Sequence, residues 1–115
     1  MLLLRSEMSP IDFGGLRIFD YTAGQSLDVS VATVEVAPGA GHAEAWSRRS
    51  DKYYVVGSGQ VRFVLEGEPH TMKAGDFCLV KKGHRFSYSN EGTEPATLIL
   101  VHAPSFDLGE DVFVG

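Results

Sequence analysis

The stretch AWSRRSDKYYVVGSG, residues 45–59, gathers an indole, two guanidinium groups, a carboxylate, an ammonium and two phenols around one charged bend. In a pocket, Asp51 is the candidate general base, because a carboxylate desolvated beside aromatic rings has a raised pKa that suits proton transfer. Tyr53 or Arg49 would then stabilise an oxyanion. The plainer reading is a solvated turn, with Asp51 capping the bend or pairing with Arg48 or Arg49. Other kinds of chemistry are poorly supplied. GSG at 57–59 joins two apolar runs and no helix follows it, so it is not a phosphate loop. Cys78, the single cysteine, lies in the apolar run FCLV and reads as a buried small thiol rather than a nucleophile. His70 follows Pro69 in a hairpin and reads as solvent-facing, and His102 ends an apolar strand and reads as an imidazole bonded to backbone. Either could titrate near neutrality.

The elements that must position these groups are strands. No segment sustains an apolar period of 3.6. Instead there are short alternating or continuous β-branched and aromatic runs: LRIFD (16–20), DVSVATVEV (28–36), DKYYVV (51–56), QVRFVL (60–65), PHTMK (69–73), DFCLV (76–80), RFSYSN (85–90) and ATLILVHA (96–103). Glycine-rich and proline-rich turns separate them, which predicts an all-β sandwich or closed barrel. In QVRFVL, Val61, Phe63 and Leu65 share one face. EGE (66–68) is a hairpin loop with a glycine available for positive φ. The 115 residues are expected to form one domain, with a barrel core at about 28–103. The strand at 16–20 and the tail 104–115 would pack on the barrel or on a partner.

The net charge of −5 argues against a nucleic-acid partner, because neutralising phosphates needs a surplus of Lys and Arg. The start, MLLLRSEM, is too short an apolar run for a signal peptide or a membrane span. No membrane partner and a cytoplasmic location are the expectations.

At this point the glycine and proline spacing becomes specific. The chain resembles a small single-domain member of the cupin family, whose double-stranded β-helix is a jelly-roll barrel. Two family frames carry the likeness. The first, G-x5-H-x-H-x3-E-x6-G, runs from Gly39 and places its last glycine on Ser58, between two glycines. The second, G-x5-P-x-G-x2-H-x3-N, runs from Gly75 through Lys81 and Gly83 to Asn90. Carried over position by position, the two histidine places of the first frame fall on Ala45 and Ser47 and its glutamate place on Asp51. The histidine place of the second frame falls on Phe86. A divalent metal needs three or four nitrogen, oxygen or sulfur ligands. Asp51 and Ser47 do not supply that, so no metal and no cofactor are expected. The alternative is a shifted metal site of His42, Glu44 and His84, which would require a bulge near Gly41 to turn His42 and Glu44 inward.

If Ala45, Ser47, Asp51 and Phe86 point inward, a period of two adds Arg49, Tyr53 and Val55 on one side and Tyr88 on the other. The expected ligand-binding set is then Ser47, Arg49, Asp51, Tyr53, Phe86 and Tyr88, around a small organic molecule inside the barrel. Tyr53, Tyr88 and Phe86 read equally well as plain core, with the barrel filled and serving as a structural dimerisation module. No histidine shares the frame of Ser47, so a Ser-His-Asp triad is not expected. Trp46 falls between two inward positions and should face outward, where a large aromatic reads as a subunit contact. The family likeness implies a homodimer. The leading expectation is a metal-free small-molecule binder, with isomerase-like or cyclase-like acid–base chemistry. Its rival is a metal-dependent dioxygenase or isomerase.

Overall fold

The computed structural model describes residues 1–114, which build two antiparallel sheets packed face to face. Eleven strands follow in chain order: β1 (Ile11–Phe13), β2 (Leu16–Asp20), β3 (Ser30–Val36), β4 (Gly41–Ser47), β5 (Asp51–Ser58), β6 (Gln60–Leu65), β7 (Glu68–Lys73), β8 (Phe77–Val80), β9 (Phe86–Ser89), β10 (Ala96–Ala103) and β11 (Asp111–Phe113). One sheet has the order β1-β2-β3-β10-β5-β8 and the other β11-β4-β9-β6-β7. This is the expected all-β jelly roll. Three strands lie outside the sequence-derived runs. β1 and β11 have three residues each, too few for a period to show, and β4 carries the polar segment GHAEAWS.

Alternation places the core where the sequence puts it in most strands. β3 reads buried at every second residue, with Ala32, Val34 and Val36 inward. Val61 and Phe63 of β6 are buried, and Leu65 packs against the same core. The β6–β7 hairpin turns on Glu66 and Gly67, both at positive φ (51° and 82°). That pair of dihedrals matches the right-handed twist of the flanking strands. Asn90 closes the β9 end from inside. Its side-chain amide donates to the carbonyls of Val36 (3.0 Å) and Glu94 (2.8 Å) and its oxygen accepts from Gly92 N–H. A buried amide with both ends satisfied fixes the turn without a polar penalty.

The expected parity fails in β5. The inward residues are Lys52, Tyr54 and Val56, not Asp51, Tyr53 and Val55. The cause lies in the bend before the strand. The buried Ser47 hydroxyl accepts from the backbone N–H groups of Arg49 (3.1 Å) and Ser50 (2.9 Å), and Ser50 donates to the Pro104 carbonyl. This tight turn buries Ser50 and uses one residue more than strict alternation, which switches every side chain after it to the other face.

The tail packs back on its own barrel. β11 pairs with β4, Asp111 opposite Ser47 and Phe113 opposite Ala45. The Phe106 N–H donates to Ser30 Oγ, and the Arg49 guanidinium donates to the Ser105 carbonyl (2.7 Å). Residues 104–113 therefore lie across one end of the barrel.

Candidate functional site

The barrel interior is divided. One half is filled by an aromatic cluster, Tyr54, Phe63, Phe86 and Tyr88, with ring centroids 5.3–6.5 Å apart. The other half holds a cavity of about 200 Å³. Its wall is largely aliphatic and aromatic, from Ile11 and Phe13 of β1 across β2, β3 and β10 to Phe106, Leu108 and Phe113 of the tail. Into it come a few polar groups: His42, Lys52, Tyr54, Tyr88, His102 and Asp111. A mostly apolar recess with a small number of placed donors and acceptors is the form of a small-molecule site.

Lys52 is the centre of this set. Its ammonium is 3.1 Å from Asp111 Oδ2 and 2.9 Å from His102 Nε2, and both members of the ion pair are almost wholly buried. Burial pulls the Lys52 pKa below its ordinary value, and the Asp111 carboxylate opposes that pull. His102 is held neutral, its pKa lowered to about 3 by burial and by the Lys52 charge. Its Nε2 thus accepts from Lys52, which leaves the ring proton on Nδ1.

His42 stands on the opposite sheet, in a box of Phe13, Phe86, Tyr88 and Phe113 with ring centroids 4.9–6.1 Å away. Burial lowers its pKa too. Its Nδ1 lies 2.7 Å from the Ala43 carbonyl, which can only accept, so Nδ1 carries the proton and Nε2 keeps a free lone pair. Tyr54 and Tyr88 complete the wall. Burial raises both phenol pKa values, so both remain protonated and able to donate.

The sequence-derived candidates are distributed differently from expectation. Tyr88 does line the cavity, and Phe86 stands behind His42 as buried wall. Ser47 is inward but spends its hydroxyl on the bend. Asp51 does not line the cavity; its Oδ1 accepts from the Lys82 N–H (2.7 Å), the turn role rather than the base role. Arg49 is exposed and ties down the tail. Tyr53 packs on the outer face against Phe77. The β5 slip is the reason in each case where the strand carries the residue. Trp46 is half-buried, opposite Val112 of β11 and under the Arg48 guanidinium. Cys78 is partly buried, with its thiol pKa raised by that burial.

The residues that sequence reasoning missed are Lys52, His102, Asp111 and Tyr54. The partner of His102 is Lys52 rather than the backbone that the sequence alone suggests. One signal was available for Lys52. Allowing one more residue across the bend moves the glutamate place to Lys52 and the last glycine place from Ser58 to Gly59. Gly59 has φ +72°, and a Cβ there would lie 2.6 Å from the Pro95 carbonyl oxygen, so that position requires glycine.

The shifted metal set is not assembled. The bulge expected near Gly41 is present, as a register shift between His42 and Ala45, and it brings His42 inward. Glu44 stays outside, 4.0 Å from Arg85, and His84 is exposed. The family's own ligand places do not fit a metal either. They offer a methyl group, a hydroxyl already engaged twice, a phenyl ring and, at the acid place, an ammonium that repels a cation. Among the described residues no three His, Cys, Asp or Glu side chains converge as a metal site would require.

Comparison with known proteins agrees with this architecture. The model of the cupin domain matches residues 32–102. The nucleoside dehydratase Pac13 is 26% identical over 99% of this chain and 90% of its own, with a TM-score of 0.83. Variants of the Streptomyces protein, one with histidine changed to glutamine and two with tyrosine changed to phenylalanine, have been solved with uridine; the first is 27% identical over 96% of this chain and 87% of its own, at a TM-score of 0.80. A predicted oxalate decarboxylase from Thermotoga maritima shares the fold at 18% identity over 90% of this chain and 99% of its own, TM-score 0.83. Among curated proteins, an endoribonuclease YbeY from Myxococcus xanthus is 28% identical over 106 residues, 90% of this chain, but the chain spans only 36% of that protein's length. With two glycine-punctuated frames, a jelly roll of the expected topology and a domain match through the barrel core, the chain belongs to the cupin family.

Proposed function

We propose that this chain is a metal-independent acid–base enzyme acting on a nucleoside-sized polyhydroxy molecule held in the cavity beside His42. The observation that carries the proposal is the state of His42, a neutral imidazole whose Nδ1 is fixed by the Ala43 carbonyl and whose free Nε2 belongs to a residue lining the cavity. A base oriented in this way, in a mostly apolar recess, is arranged to take a proton from a bound ligand. The un-ionised phenols of Tyr54 and Tyr88 are the matching donors.

An elimination of water uses both. His42 Nε2 takes the proton from a carbon next to an electron-accepting group of the ligand, the electron pair forms a carbon–carbon double bond, and the neighbouring hydroxyl departs with a phenolic proton as water. The proton on His42 then returns to the phenolate, so the protein is unchanged. Support comes also from the dehydratase likeness at 25–27% identity, in a protein whose histidine and tyrosine variants hold uridine. The residues lining this chain's cavity include two histidines, His42 and His102, and two tyrosines, Tyr54 and Tyr88.

The test is calorimetric titration of the dialysed, chelator-treated protein with uridine and other nucleosides, followed by the same titration of the His42→Gln protein. Binding by the parent, retained within a few-fold by the variant while turnover disappears, is the expected result. Absence of binding to any nucleoside or sugar of that size overturns the proposal. So does activity that requires a transition metal to be restored.

A further inference from the structure

A neutral imidazole is a weak base, and a sugar carbon is a very weak acid unless an adjacent group accepts the electron pair. The electron pair must therefore pass to a group beside that carbon; a ligand carbonyl is such a group, and it becomes a stronger acceptor as an iminium, which a primary amine can form. The chain offers a single candidate. Among the described residues Lys52 is the only lysine in the cavity wall; the other three, Lys73, Lys81 and Lys82, are exposed. We propose that Lys52 is a covalent catalytic residue that forms an imine with an aldehyde or ketone ligand, so that the substrate class is a carbonyl compound. The inference rests on the reading of this cavity as a proton-transfer site and names what makes the proton removable.

The surroundings of Lys52 suit that step. Its nitrogen sits among apolar rings, 5.5 Å from the centroid of Phe86 and 5.4 Å from that of Phe106. Desolvation favours the free amine, which is the nucleophile. Two groups touch the nitrogen: Asp111 Oδ2 at 3.1 Å, a carboxylate placed to take a proton from it, and the neutral His102 Nε2 at 2.9 Å, which orients the nitrogen by accepting its hydrogen bond. Loss of one ammonium proton to Asp111 frees the lone pair for attack on the carbonyl carbon. The carbonyl oxygen takes up protons and leaves as water, and the nitrogen keeps one hydrogen as an iminium. The balance is one ammonium and one carbonyl giving one iminium and one water, with no oxidant or reductant. The iminium then accepts the electron pair released when His42 removes the proton from the adjoining carbon. Asp111 and His102 act through Lys52 and are positioning residues.

The experiment is reductive trapping. The full chain is incubated with glycolaldehyde and sodium cyanoborohydride at neutral pH, digested, and mapped by mass spectrometry. A reduced adduct at Lys52 is expected to form at least about tenfold faster than at Lys73, Lys81 and Lys82, because the cavity holds the bound carbonyl against the Lys52 nitrogen while the other three stand on the open surface. A Lys52 that is unmodified, or modified no faster than those three, overturns the proposal. The adduct is read on the protein and needs no turnover. Absence of trapping therefore counts against the imine alone, and a His42→Gln protein that still converts substrate counts against the base alone.

Discussion

Changing Asp111 to Asn removes the one carboxylate paired with Lys52 and alters little else in shape. Both partners are nearly inaccessible, 3% and 5% exposed, so solvent screening does not soften the loss. Breaking a buried pair by removing one charge costs about 3–5 kcal/mol, since the other charge is left desolvated. The chain has one escape, which is to fold with Lys52 uncharged. Discharging a lysine whose ordinary pKa is 10.5 costs about 5 kcal/mol at pH 7 and about 2 kcal/mol at pH 9, which sets a ceiling on the damage at each pH. His102 Nε2 remains as an acceptor and keeps the cost toward the lower end. The sign follows from proton counting. Lys52 has a lowered folded-state pKa, so between that value and 10.5 the unfolded chain binds more protons and stability rises with pH. In the Asn variant the group that raised the folded pKa is gone, so the window opens at lower pH and the rise is larger. Urea unfolding followed by circular dichroism at pH 7 and pH 9 measures both quantities. The expected deficit of about 3–5 kcal/mol at pH 7, on the order of 10–20 °C in melting temperature, should shrink to about 2 kcal/mol or less at pH 9. A deficit under about 1 kcal/mol at pH 7, or one that grows toward pH 9, would refute the buried pair.

Gly41→Ala places a methyl against the Tyr88 carbonyl oxygen and 2.9 Å from Ser89 Cα, so it should destabilise by about 1–3 kcal/mol and weaken nucleoside binding by displacing His42; an unchanged melting curve would contradict that packing. Nitrogen-edited NMR should find His102 neutral with its proton on Nδ1 down to about pH 3 and His42 titrating below the ordinary 6.5. For His102, the unfolded chain binds more protons between pH 3 and 6.5, so stability should fall as pH drops through that window, and a His102 titrating near 6.5 would refute its burial against Lys52. Phe86→Ala empties a fully buried place beneath His42 and should cost about 3–5 kcal/mol in urea unfolding, with a much smaller loss marking the cluster as loosely packed.

Much of the barrel was legible because strand periodicity is a local signal. The alternation of Val61, Phe63 and Leu65 and the EGE turn identify their hairpin without knowledge of its neighbours. β4 was less legible, since its polar residues GHAEA hide a strand whose outer side is partly solvated and whose register shifts between His42 and Ala45. β11 could not be seen at all by period. Three residues become a strand only because β4 offers an unpaired edge.

The candidate site divides along the same line. The sequence by itself determined an all-β jelly roll, the replacement of the family's metal-ligand places by Ala45, Ser47 and Phe86, and an aromatic interior that includes Tyr88. It did not determine which face of β5 looks inward, because a single extra residue in the Ser47–Ser50 bend reverses all that follows and leaves the composition of the strand unchanged. Only the tertiary structure chose Lys52 and Tyr54 over Asp51 and Tyr53. Only it brought Lys52 to His102 and Asp111, which lie fifty and fifty-nine residues further on. Long-range proximity of this kind is set by sheet order and by the return of the tail across the barrel end, and no local pattern of residues encodes it.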